Sequence, residues 1–178
     1  MSTLRIGDPA PGFNELQGVD GKTYGLEDFG DKKIVIVMFS CNHCPYVKAY
    51  EERFVELQRD YSDKGVMLVA VNPNDERRYP DDSFENMKIR ARRKGFNFPY
   101  LRDETQSVAR TYGAQRTPEV FVFDEKRVLR YRGRIDDNVY EPSQVRQHYL
   151  RDALNAILEG RKAPTEDTEP VGCTVKWK

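Results

Sequence analysis

Residues 34–47 read Ile34-Val35-Ile36-Val37-Met38-Phe39-Ser40-Cys41-Asn42-His43-Cys44-Pro45-Tyr46-Val47, and two different periodicities meet inside them. Ile34 to Phe39 is an unbroken apolar run rich in β-branched residues, the pattern of a central strand covered on both faces. Pro45 then suits the first position of a helix. Val47, Tyr50, Phe54, Leu57 and Tyr61 follow at steps of three and four, which predicts an amphipathic helix ending near Lys64-Gly65. Val66 to Val71 is a second apolar run, so strand, helix and strand form a βαβ unit with parallel strands. Cys41 and Cys44 fall at its first strand-to-helix turn.

Working outward, Asp20-Gly21 between Leu16 and Thr23-Tyr24 predicts a small N-terminal hairpin. The segment 72–101 carries a further, inserted helix, capped by Asp82 or Ser83, with Phe84, Met87 and Ala91 on one face and Arg92, Arg93, Lys94 and Gly95 closing it. Its arginines, Arg77, Arg78 and Arg90 among them, alternate with Asp75, Glu76, Asp81, Asp82 and Glu85, which reads as a solvated charged face and not as a nucleic-acid surface. A short helix over Gln106–Tyr112 precedes Thr117-Pro118 and the strand Val120–Phe123. Asp124-Glu125 turns the chain into an antiparallel partner over Val128–Arg132, and a last helix is predicted over Ser143–Leu158, with His148 on its polar side. The expected fold is α/β: a central mixed sheet flanked by helices, one domain over 1–160 and a C-terminal tail over 161–178.

The 178 residues suffice for one well-buried domain. Lys plus Arg and Asp plus Glu balance at 29 each, so no global field attracts nucleic acid or an anionic membrane. No apolar run approaches the roughly 20 residues that span a bilayer. The N-terminus has no basic region followed by an apolar stretch, and the expected location is cytoplasmic.

Three cysteines are too few for a disulfide framework, and a close pair in a reducing compartment is catalytic or metal-binding. In Cys41-Asn42-His43-Cys44 the pair can close a small disulfide. The N–H groups of the following helix can stabilise a thiolate, expected on Cys41, with His43 tuning its pKa. Cys41 is the expected nucleophile and Cys44 the resolving thiol. A zinc site wants four ligands, and the chain adds only Cys173, His43 and His148, with no second close pair. No metal and no cofactor is therefore expected.

These residues resemble the thioredoxin-like thiol–disulfide oxidoreductases related to the alkyl hydroperoxide reductase and thiol-specific antioxidant (redoxin) group. The resemblance runs from Ile6-Gly7-Asp8-Pro9-Ala10-Pro11 and Asp20-Gly21-Lys22 through Phe39–Tyr46. It continues in Val108-Ala109, Tyr112-Gly113, Thr117-Pro118, Phe121–Asp124 and Tyr131-Arg132-Gly133. It implies a thioredoxin-like fold, a cis Pro118 facing the dithiol, and substrate binding by the backbone of Thr117. It also implies protein or low-molecular-weight disulfides as substrates and a thioredoxin-type reductant as a further partner. The chain departs from thioredoxins at Ser40, where an aromatic residue is usual, and at Val35, where a buried acid is usual, so the proton acceptor for Cys44 is left to weak candidates, Glu119 and Lys48.

Two alternatives stay open. A thiol peroxidase of the same superfamily places a Thr three residues before its cysteine, where this chain has Met38, although Arg132 or Arg134 can approach the site. A metal-binding or redox-sensing module would use the same pair. Cys173 in the tail can return to pair with Cys41 or Cys44, can pair with another chain, or can be a free thiol held by the packing of Val175 and Trp177; the last is the expectation.

Overall fold

A computed structural model describes residues 4–178. Its sheet contains β1 (Leu16–Gly18), β2 (Thr23–Tyr24), β3 (Ile34–Phe39), β4 (Val66–Asn72), β5 (Tyr100–Arg102), β7 (Glu119–Phe123) and β8 (Leu129–Gly133), in the order β2-β1-β5-β4-β3-β7-β8. β3 runs parallel to β4, from Ile34 opposite Val66 to Phe39 opposite Val71, and antiparallel to β7, where Glu119 faces Phe39. The sheet is therefore mixed, and the end of β3 delivers Cys41 beside the start of β7. The short strands β6 (Arg116–Thr117) and β9 (Cys173–Thr174) pair separately.

Every residue of β3 is buried, and alternation sends its side chains into two different cores. Ile34, Ile36 and Met38 pack under α1 (Pro45–Tyr61) with Val47, Tyr50, Phe54 and Leu57, and with Leu150 and Leu154 of α4 (Tyr149–Leu158). Val35, Val37 and Phe39 face α3 (Ser107–Tyr112) through Val108, Ala109 and Tyr112. The apolar continuity of residues 34–39 thus reflects helices on both faces of the sheet. The thioredoxin-like fold and the N-terminal hairpin over Asp20-Gly21 are present as expected.

Three local expectations change. The last helix starts at Tyr149, not Ser143: Pro142–Gln144 form one 3-10 turn, and the chain then extends so that Gln147 O accepts from Asp137 N–H and Ile135 O from Leu150 N–H. Those non-local bonds compete with helical ones, and they leave His148 exposed just before the helix. Ser83, not Asp82, caps the inserted helix α2 (Phe84–Lys94), its Oγ accepting from Asn86 N–H at 3.1 Å. The charged face is also incompletely solvated: Asp75 and Asp82 are buried, and Arg90 grips Glu51 of α1 through two hydrogen bonds, Nε to Oε2 at 2.8 Å among them.

The Arg90–Glu51 pair ties α2 to α1 and so fixes the loop before α2 over the cysteine turn. Removing one partner of a fully buried pair costs ~3–5 kcal/mol. Arg90 keeps 17% of its side chain exposed, against 2% for Glu51, so Glu51→Ala is expected to cost about 2 kcal/mol in urea unfolding.

Candidate active site

The turn at residues 40–44 sits at the C-terminal end of β3, the usual place for a site in an α/β sheet. Cys44 is the N-cap of α1, with extended backbone at φ −68° and ψ 126°, and Pro45 opens the helix without an amide that would need a partner. Cys41 is 2% exposed and Cys44 fully buried. Across from them the Thr117–Pro118 peptide bond is cis. Cys41 Sγ lies 3.4 Å from Thr117 Oγ1, and Cys44 Sγ lies 3.4 Å from Thr117 O, so both thiols face the segment that leads into β7. Cys173, from the tail, brings its Sγ to 2.6 Å from Cys44 Sγ.

The three sulfurs titrate as a connected set. The Cys44 thiol is pulled down to about 5, first because Cys41 donates to its thiolate and, against the cost of burial, because Cys173 and the backbone N–H groups of Val47 and Cys173 also face it. Cys41 is pushed well above its ordinary range by the same hydrogen bond, by burial and by the charge of Asp82, with only the Thr117 hydroxyl opposing. Cys173 rises to about 11 through burial and its contact with Cys44. The expectation placed the charge on Cys41, whereas these surroundings favour it on Cys44. Cys44, not Cys41, is the N-cap residue, and the Val47 N–H of the first helical turn faces its sulfur.

His43 lies beside the cysteine turn, with a ring nitrogen within 4.8 Å of Cys41 Sγ. Its ring stacks on Tyr79 at 5.8 Å, and its Nδ1 lies 2.5 Å from Asp82 Oδ2. Asp82 is the residue that sequence reasoning misses. Its fully buried carboxylate accepts from Asn42 N–H at 2.6 Å, from Asn74 Nδ2 at 3.0 Å and from Asn72 Nδ2 at 3.3 Å, so it supports the loop between the cysteines from below. Its only sequence signal is the cluster of asparagines at 42, 72 and 74, which can supply donors to a buried acid.

Cys41, His43 and Asp82 place three donor atoms within 4.8 Å of one another. The carboxylate oxygens already accept from three N–H donors, and the trio falls short of the four ligands of structural zinc. Glu119 is buried at the start of β7, where its Oε1 accepts from the N–H groups of Gln115 and Arg116 at 2.8 and 3.0 Å. It shapes the Thr117 segment, and burial raises its pKa. Lys48 is exposed. Arg132 is held by Leu4 O and by Asp167 of the tail, and Arg134 by Glu169 O of the tail.

Because the Asp82 charge opposes ionisation of Cys41, Asp82→Asn, which keeps the shape, is expected to lower the pKa of Cys41. The maleimide reaction of Cys41 followed against pH reads this, and an unchanged or upward-shifted profile contradicts it.

Residues 5–148 match the Redoxin family. Among solved structures, a conserved protein from Geobacillus kaustophilus superposes with a TM-score of 0.92 at 44% identity, covering 98% of this chain and 93% of that one. The thiol:disulfide interchange protein DsbE of Haemophilus influenzae is 28% identical over 145 residues, 79% of this chain and 73% of its own length. The thiol–disulfide oxidoreductase ResA of Halalkalibacterium halodurans is 26% identical over 124 residues, 70% of this chain and 65% of its own length.

Proposed function

The chain belongs to the Redoxin family, and from that premise we propose that it is a thiol–disulfide oxidoreductase in which Cys41 attacks a disulfide and Cys44 resolves it. The observation that carries the reading is the facing pair: two thiols at the head of α1, both within 3.4 Å of Thr117 beside a cis proline.

The charge distribution supports a definite order of events. Cys41 donates to the Cys44 thiolate, so as Cys41 Sγ attacks one sulfur of the substrate disulfide its proton passes to Cys44. The substrate's other sulfur leaves as a thiolate and takes that proton from Cys44. The regenerated Cys44 thiolate attacks Cys41 Sγ, the Cys41–Cys44 bond forms, and the second half of the substrate departs as a thiolate that takes its proton from water. One disulfide is reduced and one dithiol oxidised. The leaving thiolate thereby does the work of the acid that position 35 lacks. Thr117, at the end of β6, offers its backbone to an extended substrate, and protein or small disulfides are the substrates of this proposal, with a thioredoxin-type dithiol as the reductant.

A peroxidase reading has less support. Met38 supplies no hydroxyl to a peroxide, and Arg132 and Arg134 are engaged elsewhere.

The test is equilibration of the dithiol in glutathione buffers. A thiolate with a pKa of about 5 stabilises the reduced form at neutral pH, so the pair is expected to be more oxidising than thioredoxin, above about −270 mV. Absence of any reversible two-electron couple overturns the proposal.

A further inference from the structure

The tail occupies the place that the proposed function reserves for substrate. Thr117 pairs antiparallel with Cys173, and Arg116 with Thr174, so a segment of the same chain already forms a strand against the Thr117 backbone. The approach is close enough that residue 172 must be glycine: a Cβ there would lie 2.1 Å from Thr117 O and 3.2 Å from Pro118 N. Beyond Cys173 the docking is specified again. Val175 N–H donates to Gln115 O, Lys176 N–H to Asn74 Oδ1, and Gln106 Nε2 to Lys176 O, all at 2.9–3.0 Å. Val175 is buried and Trp177 lies under the Arg110 guanidinium at 4.6 Å. Cys173 is thus placed by contacts on both of its sides, and its sulfur stops 2.6 Å from Cys44, little more than the length of a disulfide bond of about 2.0 Å.

We propose that Cys173 is a third redox-active residue: it takes Cys44 from the Cys41–Cys44 disulfide by exchange, leaving Cys41 as a free thiol and the tail covalently strapped across Thr117-Pro118. The inference rests on the thiol–disulfide reading of the same site. In the exchange the Cys44–Cys173 bond forms as the Cys41–Cys44 bond breaks, and the proton of Cys173 passes to Cys41, so no external oxidant or reductant is consumed. The contacts with the Cys44 thiolate that hold the Cys173 proton are absent once Cys44 is in a disulfide, while Lys176 and Arg116 continue to favour its ionisation. A docked tail also gives the step a high effective concentration. The strapped form closes the substrate edge until a reductant dithiol opens it, which makes the tail a redox-controlled cover for the site.

The test maps the disulfide in the full-length chain. The protein is reduced, freed of reductant, oxidised with one equivalent of diamide, quenched in acid, labelled with maleimide and digested for mass spectrometry. The expected product links Cys44 to Cys173 with the label on Cys41. A Cys41–Cys44 link with the label on Cys173 overturns the proposal. In Cys41→Ser the Cys44–Cys173 link is expected to form within single chains, and a persistent dithiol there overturns it too. Gly172→Val keeps all three thiols but removes the close approach, so the label is expected to move to Cys173; a label that stays on Cys41 contradicts the docking argument. The map is read without turnover. A chain that reduces disulfides yet carries its label on Cys173 keeps the proposed function and loses this inference, whereas a Cys44–Cys173 link in a chain without disulfide reductase activity does the reverse.

Discussion

Cys41→Ser is expected to lower disulfide reduction to the uncatalysed background, a loss on the order of 10³-fold or more, because a serine hydroxyl is not ionised at neutral pH and cannot replace a thiol nucleophile. Cys44→Ser is expected to fail differently. Cys41 can still attack, but nothing resolves the product, so the enzyme stops as a mixed disulfide on Cys41. Cys173 is the other thiol able to intervene, so the trap belongs in a background that also carries Cys173→Ser. Incubated with a disulfide peptide, Cys44→Ser/Cys173→Ser should retain one peptide per chain, releasable by dithiothreitol, and Cys41→Ser/Cys173→Ser should retain none. The reverse pattern, with the peptide held on Cys44, assigns the attack to the sulfur that carries the charge in the folded chain and exchanges the proposed roles. Retention by neither variant removes covalent catalysis from the account.

How the site came to be legible follows from where its information lies. The β3-α1-β4 unit is written in contiguous residues: period changes once at Ser40, Pro45 starts the helix, and local rules decide both. Thr117-Pro118 is also local, a proline at the entry to an apolar strand. Asp82 is different. Within its own segment it sits among alternating charges and reads as solvated, and only the folding of residues 42, 72 and 74 around it supplies the donors that let a carboxylate be buried. The same is true of the charge on the cysteines. The sequence places a helix after the pair, but which sulfur caps it depends on the backbone at Cys44, and the opposition of Asp82 depends on a contact across 40 residues. The tail is intermediate. Thr174, Val175, Lys176 and Trp177 alternate polar and apolar, a weak strand signal, yet docking on Thr117 is specified by Gln115, Asn74 and Gln106, which no local pattern connects to it.

A thiolate titration is expected to show one ionisation per chain centred near pH 5, with Cys173 ionising at about 11 and Cys41 well above its ordinary range. An ordinary thiol at 9.0 is about 0.1% ionised at pH 6, whereas a thiol at about 5 is about 90% ionised, so the difference in thiolate approaches 10³-fold. Far-ultraviolet thiolate absorbance measures it without requiring a reagent to reach a buried sulfur. The step near 5 should vanish in Cys44→Ser, and a step that persists there with its midpoint unchanged assigns the charge elsewhere. The linkage to stability has two signs. Cys44 is lowered on folding, so the unfolded chain binds more protons between about pH 5 and 9: its contribution is complete above the unfolded value and is lost as pH falls through about 5. Cys41 and Cys173 are raised, so their contributions are complete below about 9 and are lost as pH rises through their folded values, about 11 for Cys173. The three-thiol set therefore stabilises the reduced fold most at mildly alkaline pH. Urea unfolding of the wild type and Cys44→Ser should converge as pH falls from 8 towards 4.5, and a gap that stays constant over that range refutes the assignment of the low pKa to Cys44.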